Sequence, residues 1–156
     1  MDKFNLLKNR IIDKVYTFGE SIKITDEFQK DFFDLVSICT FNLMEGKDNF
    51  FGLFTIQLKR KIDIKIKYPV GTCVEGNDFV MYFNPILFIE YTLEEMKALI
   101  KHEIYHIMFQ HFKRGQELRK TYSDFVVNTV LDMSINQYIE NLPADCITIE
   151  RVNLSF

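Results

Sequence analysis

The chain has no tryptophan, and only three prolines, three cysteines and three histidines among its 156 residues. Each shortage narrows what it can be. Cys39, Cys73 and Cys146 are odd in number, widely spaced and form no CxxC pair. That excludes a disulfide framework and a cysteine-built zinc site, and points to a reducing, cytoplasmic setting. No run approaches the roughly 18 uninterrupted apolar residues of a membrane span. The opening MDKFNLLKNRIIDKVYTF interleaves charged and amide side chains with apolar ones and lacks a small-residue cleavage site, so no secretory leader is expected. Net charge is only −3, and the basic cluster Lys59-Arg60-Lys61 is too small to form a footprint for nucleic acid or an anionic membrane.

What is present is an ordinary globular composition, 47% hydrophobic and 26% charged, which argues against global disorder. At this length the whole chain, 1–156, reads as one domain, without repeats, linkers or low-complexity tracts. Phe4, Leu7, Ile11, Val15 and Phe18 recur at helical spacing and Gly19 should end that helix. Thr25 or Asp26 caps a second helix through Phe28, Phe32, Leu35, Val36, Cys39 and Leu43, stopping near Gly46. Residues 1–46 are therefore expected to be a helical scaffold. Alternation from Phe54 to Tyr68 predicts a strand, firmest over Ile62–Tyr68, since FFGLFTIQL also fits a helical period. Pro69, Gly71 and Gly76-Asn77 read as turns, and Phe79–Phe83 as a strand closed by Asn84-Pro85, giving a small, mostly antiparallel sheet within 50–84. Thr92 and Glu95 form a capping box that opens a helix running to Arg114, with Gly115 as its stop. Ser123 or Asp124 caps a last helix to Leu142. The expected class is α+β, with residues 92–142 supplying the active-site helices.

All three histidines fall in KHEIYHIMFQHFKR, residues 101–114. His102 and His106 are one helical turn apart, about 40° in projection, so one face can deliver two imidazole nitrogens to a zinc ion. Glu103, about 100° round from His102, can take a proton from a water at that ion without itself ligating it. A third ligand is needed. His111, nine residues after His102, lies about 180° away on an unbroken helix, and packing or a hydrogen bond near the helix end suits it better. The HExxHxxGxxH arrangement requires glycine where this chain has Phe109. Asn128, Asp132 and Asn136 instead form an i, i+4, i+8 polar stripe on the final helix. It is either solvated, or it places Asp132 as third ligand with Asn136 bonded to a histidine. Glu117, Asp124 and Glu140 are weaker choices.

NPILFIEYTLEEMKALIKHEIYHIMFQHFKR, followed by Asn128, Asp132 and Asn136, resembles a family of metallopeptidase-like domains found in bacteria and phages, often ahead of a von Willebrand factor A-like domain. The resemblance covers roughly residues 50–140, and GTCVEGNDFV with FFGL is similar to the family's preceding segments. It implies a gluzincin-like zincin fold, Zn2+ as cofactor, metal ligands His102, His106 and Asp132, and Glu103 as catalytic base. It also implies a peptide or protein substrate and, since the von Willebrand-type domain is absent from this chain, recognition either through a separate partner protein or by the protein acting alone. Val127 stands where the family commonly has Trp, and Val130 and Leu131 replace small residues, so packing beneath the site must differ. In zincins the strand before the active helix commonly pairs with substrate, a role that would fall to Phe79–Phe83 as an edge. Tyr82, His111, Arg114, Tyr122 and Tyr138 are unranked candidates for stabilising an oxyanion. The expected activity is zinc-dependent peptide hydrolysis; the alternative is a catalytically silent zincin-fold module that binds protein.

Overall fold

Helix α1, Lys3–Phe18, starts where Asp2 accepts the backbone N–H of Asn5 and ends at Gly19, as the spacing predicts. In this computed structural model, which describes residues 2–144 and 146, seven α-helices and one three-stranded mixed sheet make the chain α+β. The chain divides into two compact units, Met1–Lys97 and Ala98–Phe156.

In the first unit, Thr25 caps α2, Asp26–Met44, by accepting from Phe28 N. The buried stripe Leu7, Ile11 and Val15 belongs to α1, and α2 buries Phe28, Phe32, Leu35, Val36, Cys39 and Leu43. Arg10 on α1 reaches the buried Asp31 on α2 at 3.0 Å, a charged link between the two helices. Helix α3, Asn49–Gln57, replaces the first half of the expected strand. It lies so close to α2 that a Cβ at Gly52 would meet Thr40 O at 2.8 Å and Met44 N at 2.9 Å.

The sheet order is β1-β3-β2, with β1 at Lys59–Ile62, β2 at Val70–Glu75 and β3 at Asp78–Phe83. β1 runs parallel to β3, whereas β2 pairs with it antiparallel around the Gly76-Asn77 turn. Gly71, expected in a turn, lies within β2, and two further expectations fail here. Ile62–Tyr68 is not a strand beyond Ile62, because Asn84 reaches back with its Nδ2 to donate to Ile64 O and Ile66 O and folds that segment into turns. Phe79–Phe83 is not an edge either, since β3 is hydrogen-bonded on both sides. The basic cluster sits on β1 with its charge answered: Lys59 pairs with Asp78 at 2.8 Å, Lys61 with Glu75 at 3.1 Å, and Arg60 lies over the Phe33 ring. Asn84 also caps the short α4, Pro85–Phe88. Phe32, Phe83 and Phe88 meet edge-on at 5.2–5.9 Å between ring centres, a geometry that aromatic quadrupoles favour.

Helix α5, Leu93–Met108, opens on the expected capping box: Thr92 Oγ1 accepts from Glu95 N, and Glu95 Oε1 accepts from Thr92 N. Its later part belongs to the second unit, with α6, His111–Leu118, and α7, Asp124–Asn136. The predicted single helix to Arg114 is thus two helices, broken at Gln110, whose backbone is left-handed at φ 55°. Gly115 does not stop anything. It lies inside α6, where a Cβ would strike the Arg119 guanidinium at 2.6 Å. Arg119 can therefore lie over the glycine and bond Asp124 and Asn128 of α7. That last helix ends at Asn136 rather than Leu142. Among the described residues no helix is long and apolar enough to cross a membrane.

Candidate metal centre

Ala98, Tyr105 and Phe109 fall within about 20° of one line along α5, with His102 and His106 beside them at about 40° and 80°. The apolar members pack with Ile135, Ile139 and Leu142, so burying that side of α5 brings its histidines against α7. There Asp132 and Asn136, one turn apart, face the two rings.

Three atoms converge. His102 Nε2 and His106 Nε2 are 2.9 Å apart, and Asp132 Oδ1 lies 3.4 Å from the first and 3.1 Å from the second. His102 Nδ1 is 2.5 Å from Asn136 Oδ1, an obligate acceptor, so this nitrogen carries the hydrogen and the Nε2 of a neutral ring is a bare lone pair. Lone pairs and a carboxylate at such distances repel one another unless a proton or a cation lies among them. Ligands held 2.0–2.1 Å from one tetrahedral ion are about 3.3 Å apart, close to the separations seen here. The donor set therefore fits a metal. His102, His106 and Asp132 are the described residues whose ligand atoms cluster within 4.8 Å of one another.

A proton can also serve among these atoms. Burial alone would raise the Asp132 carboxyl, but the hydrogen bonds that His102 and His106 donate when protonated, and their charge, hold it well below the usual carboxylate range. Burial works against a charge on His102, yet Asp132, Glu103 and Asn136 together raise its pKa. Glu103 is itself buried, and its charge helps to raise His102.

The expected placement of His111 fails, although the packing and the hydrogen bond expected of it are both present. The break at Gln110 turns it back, so it is buried with Nδ1 only 3.0 Å from His106 Nδ1, not facing away. Burial first, then the charges of His106 and Arg114, push its pKa down to about 4. The burial pattern shows the break, with the inward positions His111, Gly115 and Leu118 out of register with the α5 stripe. His and Gly, however, supply no apolar periodicity by which the sequence could signal it.

The rest of the polar stripe divides. Asn128 is exposed and accepts from Arg119 Nη2, while Asn136 is buried against His102. Of the weaker ligand choices, Glu117 pairs with Lys120, Asp124 with Arg119, and Glu140 is exposed. Among the oxyanion candidates, Tyr82 donates to Glu75, which pushes its pKa up to about 12. Arg114 is exposed, and Tyr122 and Tyr138 are more than half exposed. His111 is the candidate that touches His106 directly.

A protein-family model described as "Putative metallopeptidase domain" matches residues 41–154, from the end of α2 through α7. No curated protein and no solved structure matches the chain.

Proposed function

The chain belongs to the putative metallopeptidase domain family, and from that premise we propose that it is a zinc-dependent peptidase with a gluzincin-like zincin site. His102, His106 and Asp132 hold the metal, and Glu103 is the catalytic base. One observation carries this reading: three atoms able to ligate, His102 Nε2, His106 Nε2 and Asp132 Oδ1, converge at close to tetrahedral spacing, while His111 is turned to the far nitrogen of His106. A three-ligand set leaves the fourth position to water or substrate, the pattern of catalytic rather than structural zinc. When bound there, zinc supplies Lewis acidity that polarises a peptide carbonyl and lowers the pKa of water towards neutrality.

The chain's own residues do the rest. The two imidazoles bind as neutral rings, and the Asp132 carboxylate offsets part of the ion's charge. Asn136 holds the Nδ1–H of His102 and fixes its orientation. Glu103 accepts a proton from the attacking water and returns it to the departing amine nitrogen. The substrate is a peptide or protein, selected alone or with a separate partner protein, and the three free thiols fit a reducing cytoplasm.

The test is cleavage of a fluorescence-quenched peptide library by zinc-loaded wild type and Glu103→Gln. Loss of a general base predicts a fall of about 100-fold or more in kcat with zinc content unchanged. Equal rates in the two proteins, or no cleavage by fully loaded wild type, would instead favour a silent binding module.

A further inference from the structure

We propose that His111 is a positioning residue of the metal centre: its Nδ1 accepts the Nδ1–H of His106 and so fixes the tautomer that presents a bare His106 Nε2. This rests on the metal reading above. A ligating Nε2 must offer a lone pair, so the hydrogen of a neutral His106 sits on Nδ1. The atom 3.0 Å from that nitrogen is His111 Nδ1. It can accept only if His111 is neutral and carries its own hydrogen on Nε2. His102 reaches the same state by a different partner, the amide oxygen of Asn136. The two ligand rings are thus held from behind by different chemistries, one by an amide that always accepts and one by a ring that accepts in a single tautomer.

The backbone is built around this contact. An unbroken helix would carry His111 to the far side of α5, about 180° from His102. Gln110 instead adopts φ 55° and ψ 38°, a conformation unfavourable to a residue with a Cβ and retained where the surroundings impose it. Its N–H still bonds Ile107 O, and its carbonyl accepts from Arg114 N, so the break is closed on both sides. The His111 ring is buried and packs 5.2 Å from the His106 ring and 5.7 Å from that of Phe109. Packing alone would not require the two Nδ1 atoms to face each other.

The experiment compares zinc affinity, by competition with a chromophoric chelator, for the full chain as wild type, His111→Asn and His111→Leu. Thermal unfolding of the metal-free proteins serves as the folding control. Asn can place an oxygen acceptor near the position of the lost Nδ1, whereas Leu keeps bulk without one. The expected result is a loss of about 10–100-fold for His111→Leu and rescue to within about threefold of wild type by His111→Asn. Long-range 1H–15N spectra of the zinc-loaded wild type supply a readout that needs no variant to fold. They should show a hydrogen on Nδ1 of His106 and none on Nδ1 of His111. Wild-type affinity in His111→Leu, or a hydrogen on His111 Nδ1, overturns the inference and leaves the peptidase reading standing. Failure of wild type to bind zinc would remove that reading and this inference with it.

Discussion

Replacing Asn136 by Leu removes the acceptor from His102 while keeping similar bulk. Asn136 is 3% exposed and its Oδ1 lies 2.5 Å from His102 Nδ1, so the substitution strands a buried N–H. An unsatisfied buried donor costs about 1–3 kcal/mol. Losing the partner that orients a metal ligand costs about 10–100-fold in affinity, or about 1.4–2.7 kcal/mol. The two routes agree, so zinc binding to Asn136→Leu should weaken by one to two orders of magnitude. Asn136→Asp keeps an oxygen in place, adds a charge that favours His102 as a ligand, and should bind zinc at least as tightly as wild type. Chelator competition at neutral pH reads the affinities, and urea unfolding in EDTA shows whether each variant is folded. A folded Asn136→Leu that binds zinc within about twofold of wild type refutes the reasoning. So does an Asp variant as weak as the Leu one.

Metal-free protein should have a stability optimum in mild acid. The depressed Asp132 carboxyl contributes stability above its ordinary value of 3.8 and loses it as pH falls below that. The raised His102 contributes below 6.5 and loses it as pH rises through its folded value. His111, depressed to about 4, contributes above 6.5 and loses that as pH falls towards 4. Urea midpoints from acid to alkaline pH should therefore peak close to the upper of these limits, and zinc, which requires unprotonated rings, should move the peak upward. Phe32→Ala should cost about 3–5 kcal/mol in urea unfolding, because Phe32 is fully buried against Phe83 and Phe88; a cost below about 1 kcal/mol would contradict the packing described. Cys39, fully buried and pushed up to about 12 by that burial, should resist alkylation in the native protein and react on denaturation; rapid native labelling mapped to Cys39 would refute its placement.

Elements whose ends are set by local chemistry could be read from the chain. Thr25, Thr92 with Glu95, and Ser123 each cap a helix through neighbouring backbone atoms. The i, i+4 spacing of His102 and His106, with that of Asp132 and Asn136, was likewise enough to bring ligand candidates to one face of each helix. What escaped was set by contacts distant in sequence. The alternation over Ile62–Tyr68 was overruled by one amide, Asn84, some 20 residues away. β2 hid behind Gly71, which reads as a turn but pairs with Tyr82 in the sheet. The break at Gln110 occurs without glycine or proline, so no breaker residue marked the kink that brings His111 to His106.

The most direct test of the central claim is metal content, measured by elemental analysis on wild type and Asp132→Ala purified without chelators and then offered zinc. The account predicts about one zinc per chain in wild type, bound by three protein ligands, and loss or marked weakening in the variant. A wild type that takes up no zinc, or an Asp132→Ala protein that holds it as tightly, would contradict it.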